Sequence, residues 1–438
     1  KSKFLKSLPF KLTKAQSDVI EQIEKDMTSK KTMHRLLQGE VGSGKTAVSA
    51  YALALTVFNK HQGLIMVPTE ILAEQHYLTL SKMLSPLGIE VAILISGLTK
   101  KEKINTLQLI KSKEADVVVG THALIQEAVE FNDLGLVVID EQHKFGVEQR
   151  GSFKDKGYNP HVLVMSATPI PRTLAMTLYG DMDISIINEM PMGKRRVETF
   201  VVSAQQRESA YEFLKTEIKN NRQGYIVSPV IEKSEKLQAD GVNNLYEELI
   251  KKFPEFKLAL LHGRLKAQQK QEIMSDFKKK KTDILVATTV IEVGIDVPNA
   301  SVMLVENAER FGLSQLHQLR GRIGRGKFQS YCILLSDPKT QNSVSRLDAM
   351  AQTDDGFKIA EQDMSIRGTG ELFGTKQHGE PLFEIANLKD DIEILEQARK
   401  EAFCLIEQDA LLENERNKVL KEKLLAKFKD TFSIGLTG

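Results

Sequence analysis

The sequence predicts an α/β fold: two tandem domains built on parallel sheets, followed by a helical appendage. Three observations carry that reading. Short Val/Ile/Leu-rich runs alternate with helical patterns from Leu12 to about Asn188. After an interruption at Pro191-Met192-Gly193-Lys194-Arg195-Arg196, a second series of the same kind begins. From Pro338 onward, helical patterns dominate. Continuous apolar strands separated by helices argue a parallel sheet covered on both faces. A chain of 438 residues also exceeds what one core usually holds.

Taken in order, the first series offers strands at 33–37, 63–67, 91–95, 116–120, 134–139 and 161–165. Helices are expected at 47–58, 70–83 and 101–110, where apolar residues recur at helical spacing. The second series places strands at 197–202, 225–227, 258–261, 283–287, 302–305 and 331–335. A glycine-rich break, Arg367-Gly368-Thr369-Gly370, interrupts the helical portion, and 390–428 reads as one or two amphipathic helices. The expected division is a first domain at 1–190, a linker at 191–199 and a second domain at 200–345. A helical segment at 346–380 and a tail at 381–438 complete it.

Composition narrows the function classes. Apolar content of 41% with 27% charged residues is ordinary for a globular protein. A net charge of +2 means that any nucleic-acid contact must come from local patches. The run Lys278-Lys279-Lys280-Lys281 reads as a solvated helix end. Cys332 and Cys404 show no metal-ligand spacing, which speaks for a reduced cytosolic protein without structural zinc. No apolar run is long enough to span a bilayer, and the first residues lack the apolar region of a signal peptide.

Gly39-Glu40-Val41-Gly42-Ser43-Gly44-Lys45-Thr46 matches the phosphate-loop pattern G-x-x-x-x-G-K-[ST]. It falls between an expected strand and an expected helix, where backbone N–H groups and a helix N-terminus cradle phosphates. Lys45 would reach the β- and γ-phosphates, and the Thr46 hydroxyl would hold Mg²⁺. The chain therefore reads as one that binds and hydrolyses a nucleoside triphosphate. Asp140 and Glu141 close an apolar run, at the sheet edge where open α/β folds bind ligands. There Asp140 would hold hydrated Mg²⁺, and Glu141 would orient or deprotonate the attacking water. Taken alone, such a pair is more often a loop entry or helix cap; the upstream phosphate loop reverses that balance.

Residues 315–326 pack three arginines and three glycines into a dozen positions. Arg322 and Arg325, three apart, are expected to project from one side of a helix. Reaching the γ-phosphate across the domain interface, they would act as arginine fingers and make hydrolysis depend on domain closure. Only one nucleotide site is expected, between the two domains, because the second has no phosphate loop.

The ordered set of motifs resembles superfamily 2 helicases and translocases. The resemblance implies that Gln16, in the Leu8-to-Gln16 segment, reads adenine and that Asp296 contacts ribose. It gives Gln318 a position facing the γ-phosphate. Pro68 and Thr69, then Gly120, Thr121 and His122, then Thr288 and Thr289, stand where this superfamily touches the nucleic-acid backbone. Ser166 and Thr168 stand where hydrolysis is coupled to strand movement, and His143 beside Glu141 would belong to the nucleotide gate.

Residues 140–150, 167–180, 287–298 and 367–379 are similar to the RecG family of bacterial branched-DNA translocases. The last segment resembles the translocation motif that this family shares with the transcription-repair coupling factor Mfd. Arg346, Arg367 and Gln377 fall on its key polar positions. The family implies two RecA-like P-loop domains, a helical translocation hairpin and a helical tail. It implies ATP and Mg²⁺, and duplex and branched DNA bound without regard to base sequence. A monomer in the bacterial cytoplasm is expected, with this chain as the motor half lacking an N-terminal wedge domain. Ser166 replaces the family's common Thr, and Lys376 its common Arg, which loses a bidentate fork. An Mfd-like duplex translocase is the nearest alternative. A nucleotide-dependent switch or scaffold is another, though it could dispense with the catalytic carboxylate found here.

Overall fold

A computed structural model describes residues 1–125, 129–140, 159–167, 171, 175, 180, 182–191, 196–229, 235–289, 297–367 and 391–427. The first lobe is a seven-stranded parallel sheet. Its strands are β1 (His34–Gly39), β2 (Gln62–Met66), β3 (Val91–Leu94), β4 (Val117–Gly120), β5 (Leu134–Asp140), β6 (His161–Ser166) and β7 (Asp183–Ile187). In space they run β3-β4-β2-β5-β6-β1-β7. Around them lie α1 (Ser2–Ser7), α2 (Lys14–Met27), α3 (Lys45–Phe58), α4 (Glu70–Leu84) and α5 (Lys100–Ser112).

Alternate strand residues fill two separate cores, which is why the strands read as unbroken apolar runs. Leu37, Ile65 and Val138 pack with Val48 and Leu53 of α3 on one face. Leu36, Leu64, Val137 and Val164 fill the opposite face. Strand β7 had no counterpart in the sequence reading. It is an edge strand paired only with β1, and Asp183 and Ser185 interrupt its apolar pattern.

The second lobe is a six-stranded sheet ordered β10-β11-β9-β12-β13-β8. Its strands are β8 (Val197–Val202), β9 (Gln223–Val227), β10 (Leu258–Leu261), β11 (Ile284–Ala287), β12 (Ala300–Val305) and β13 (Ser330–Leu335), all paired in parallel. Its helices are α6 (Arg207–Lys219), α7 (Glu235–Lys252), α8 (Ala267–Lys278) and α9 (Leu313–Arg320). Strand β8 takes up the last three positions of the expected linker.

Two further helices, α10 (Gln341–Gln352) and α11 (Gly356–Arg367), pack on each other and on α9. The tail supplies α12 (Ile392–Gln408) and α13 (Lys418–Lys427). Helix α12 is fastened to the first lobe: Arg399 Nη2 donates to Met182 O at 2.6 Å, and Glu407 pairs with Lys31. No helix among the described residues is long and apolar enough to cross a membrane.

Candidate active site

The phosphate loop forms because β1 runs straight into it and α3 begins as it ends. Gly42 at φ 82° and Gly44 at φ 86° take the left-handed backbone that curls the loop. A Cβ at Gly44 would also lie 2.2 Å from Gln16 Nε2. Helix α3 starts at Lys45, so its N-terminus, the end that favours an anion, opens at the loop. Lys45 Nζ donates to Gly39 O at 2.7 Å and Glu40 O at 3.0 Å, so the ammonium sits inside the loop.

Gln16 braces that loop from behind. Its Oε1 accepts the Thr13 N–H at 2.9 Å as half of a capping box on α2, and its Nε2 donates to Ser43 O at 2.7 Å. Both ends of the amide are thus engaged within the protein, and the residue is buried.

A cavity of about 240 Å³ lies between the lobes, above the loop. Gly42, Lys45, Thr46 and Asp140 line it from the first lobe, Arg322 and Arg325 from the second. Thr46 brings a hydroxyl and Asp140 a carboxylate, the hard oxygen donors that Mg²⁺ takes. The two arginines do not project from a helix as expected. Helix α9 ends at Arg320, and the residues beyond form a turn in which Gly324 has φ 77°. Gly326 then passes so close to Pro298 O that a Cβ would lie 2.0 Å from it. The expected helical spacing fails there, yet both side chains still reach the cleft.

Gln318 is buried on α9 and is not among the cleft-lining side chains. Ser166 ends β6, buried beside Gln38 in register, and the next residue, Ala167, lines the cleft. The candidate nucleic-acid segments all follow C-terminal strand ends. Pro68 and Thr69 come after β2, Gly120, Thr121 and His122 at the end of neighbouring β4, and Thr288 and Thr289 after β11. Thr69 caps α4, while Thr121 and Thr288 are buried. Arg346 on α10 donates to Phe311 O at 3.1 Å and Glu309 O at 3.3 Å, strapping the segment ahead of α9. Glu141, His143, Thr168, Asp296 and Gln377 lie outside the described residues, as does the side chain of Arg367.

Three features escaped the sequence reading. Leu72, Gln75, His76 and Thr79 of α4 line the cleft. Their spacing of three, four and seven is a helical stripe that could have revealed them. Arg320 is buried and donates to Met350 O at 2.8 Å and Thr353 O at 3.0 Å, so it serves the α10–α11 turn. Glu40 reaches across to accept the Gly356 N–H that opens α11.

Residues 13–177 match the DEAD/DEAH box helicase family, and 205–327 match the helicase conserved C-terminal domain. Residues 353–434 match the C-terminal part of domain 3 of ATP-dependent DNA helicase RecG. The chain is 48% identical to ATP-dependent DNA helicase RecG of Bacillus subtilis (strain 168) over 424 residues, which is 97% of this chain and 62% of that protein. The Streptococcus pneumoniae (strain TIGR4) counterpart is 51% identical, covering 90% of this chain and 59% of its own length. The chain thus spans about three fifths of these curated relatives. A solved structure of RecG bound to a three-way DNA junction is 46% identical, with a TM-score of 0.76, over 90% of this chain and 52% of that one. Saccharomyces cerevisiae Dbp5 bound to RNA, at 17% identity and a TM-score of 0.60, shares the two-lobed fold alone. The phosphate loop, the paired arginines of the second lobe and the helices beyond it fall within one continuous match, over which the chain is similar to the RecG helicases.

Proposed function

We propose that this chain is an ATP-driven DNA motor of the RecG type, which moves on duplex DNA and remodels branched structures such as stalled forks and Holliday junctions. The observation that carries the proposal is the single cleft shared by Lys45, Thr46 and Asp140 of one lobe and Arg322 and Arg325 of the other. Triphosphate would take the place of Gly39 O and Glu40 O as partner of the Lys45 ammonium. Thr46 and Asp140 would hold Mg²⁺, which when bound neutralises phosphate charge. Glu141 would orient the attacking water. Arg322 and Arg325 would stabilise charge on the transferred phosphoryl, and only while the lobes are closed. Gln16 would read adenine by giving up Ser43 O, Asp296 would contact ribose, and Gln318 would face the γ-phosphate after a shift of α9.

The segments at Pro68–Thr69, Gly120–His122 and Thr288–Thr289 would follow the DNA backbone. Ser166, Thr168, His143, Arg346, Arg367 and Gln377 would pass the state of the cleft to them. Contacts confined to phosphates imply indifference to base sequence and a steep loss of affinity with salt. A monomer working in the bacterial cytoplasm fits this reading.

The test is steady-state ATPase with branched duplex DNA, single-stranded DNA and RNA, with Lys45→Ala as the blank. Stimulation by branched duplex over RNA, abolished in Lys45→Ala, is the expected result. A rate indistinguishable from the blank on every nucleic acid would overturn the motor and favour a nucleotide switch.

A further inference from the structure

His76 sits on α4, a helix that enters the cleft beside the candidate magnesium carboxylate. Its Nε2 lies 2.9 Å from Asp140 Oδ2, and both side chains are largely buried. A carboxylate only accepts, so the imidazole carries its hydrogen on Nε2. The other nitrogen, Nδ1, is buried without a partner among the described residues. An unpaired buried acceptor costs about 1–3 kcal/mol. An apolar residue would fill this space without that cost, so packing does not account for a histidine here.

We infer that His76 is a positioning residue that fixes the Asp140 carboxylate for magnesium and ties it, through α4, to the candidate DNA-contact segment at Thr69. The inference rests on the nucleotide and magnesium reading of the cleft. Thr69 caps the same helix, its hydroxyl accepting Leu72 N–H at 3.4 Å. Seven residues of α-helix separate the two positions by about 10 Å, without an intervening hinge. Between them Glu74 accepts from Gln271 Nε2 of the second lobe at 2.6 Å through both carboxylate oxygens. One rigid element therefore carries a candidate DNA contact, a bridge between the lobes and the hydrogen bond to Asp140. A shift of α4 on DNA binding or lobe closure would turn the carboxylate that holds the metal.

Three variants separate positioning from packing. His76→Leu keeps apolar bulk and loses the donor. His76→Gln places an amide N–H near the imidazole Nε2, and His76→Asn places one near Nδ1, short of Asp140. The readout is equilibrium affinity for a fluorescent ADP with and without Mg²⁺, alongside the ATPase ratio with and without duplex DNA. Outer-sphere partners of metal ligands typically contribute 10–100-fold to metal affinity. The expected result is that His76→Leu and His76→Asn shrink the Mg²⁺ enhancement roughly tenfold and blunt the DNA response, while His76→Gln restores both. Metal-free ADP affinity should stay within about threefold, since the phosphate loop is untouched. If His76→Leu fails to fold, the Gln and Asn pair decides: equal behaviour of those two overturns the inference. A wild-type chain indifferent to Mg²⁺ would overturn the magnesium reading as well. A Mg²⁺-dependent wild type with an equally dependent folded His76→Leu overturns the positioning role alone.

Discussion

Arg320, Arg322 and Arg325 lie within six positions of each other and have three different surroundings. Arg320 is 3% exposed and holds two backbone carbonyls, with His317 Nδ1 at 3.1 Å from its Nη2. Arg320→Ala would strip the donor from the buried Met350 carbonyl and the half-buried Thr353 carbonyl, a loss of about 2–4 kcal/mol visible in urea unfolding of the second lobe. Arg322→Ala and Arg325→Ala should barely move that transition and should lower kcat by about 10³-fold. A variant at 322 or 325 with normal turnover would remove that side chain from the chemistry. At the same scale, His161 makes stability depend on pH. Its Nδ1 accepts Met33 N–H at 2.9 Å, and burial pushes the imidazole below its ordinary value, with His34 and His61 adding to the shift and Asp26 opposing it. The unfolded chain takes up a proton near the ordinary value of about 6.5, whereas the folded chain resists it. Stability from this site is therefore complete above about pH 6.5 and falls below it, through the depressed folded value. His161→Asn keeps an acceptor for Met33 and cannot protonate. Its midpoint should drop less than the wild type's between about pH 7.5 and about pH 5.5.

At the scale of elements, α11 is held at its first turn from both lobes. Glu40 of the phosphate loop accepts the Gly356 N–H at 2.5 Å, placing a carboxylate at a helix N-terminus. Arg320 grips Thr353 O, and Arg196 Nε donates to Asp354 at 2.6 Å in the same turn. Glu40→Ala should leave ADP affinity nearly unchanged and weaken DNA stimulation of the ATPase by about fivefold or more, the usual size of a coupling between sites. Glu40→Gln, which keeps an acceptor, should lose less. Equal DNA stimulation in all three proteins would show that this contact transmits nothing. The elements also show where sequence reading succeeds. A strand buried on two faces must be apolar throughout, so β2, β4 and β5 announce themselves. Strand β7 is paired on one side only and keeps Asp183 and Ser185, so it reads as loop. The phosphate loop is legible because its chemistry is local. The turn bearing Arg322 and Arg325 is not, since the close approach of Gly326 to Pro298 is set by tertiary packing. His76 escaped for a similar reason: Asp140 lies sixty-four residues away, and only the sheet order brings them together.

At the scale of the whole molecule, the activity proposed here depends on two lobes that close on one another. Their meeting point at the loop is Gly321 against Val41. A Cβ at Gly321 would lie 3.2 Å from Val41 Cβ, tighter than side chains ordinarily pack. Its backbone, at φ −65° and ψ −8°, is open to any residue, so a substitution here reports on closure and not on local strain. Gly321→Leu has no room in the closed arrangement, yet it faces the opposite lobe and leaves each core intact. The expected outcome is unfolding transitions within about 0.5 kcal/mol of wild type. ADP binding, carried by the first lobe, should be nearly normal. The kcat should fall tenfold or more, because Arg322 and Arg325 cannot reach the phosphoryl from an open lobe. The milder Gly321→Ala requires a few tenths of an ångström from Val41 Cβ and Cγ2, and Val41→Gly removes both atoms. In a double-mutant cycle, Val41→Gly should therefore recover most of the loss caused by Gly321→Ala, giving the coupling expected of residues in direct contact. Additive losses, or full turnover in Gly321→Leu, would mean that hydrolysis proceeds without the closed arrangement, and the arginines of the second lobe would then have no part in it.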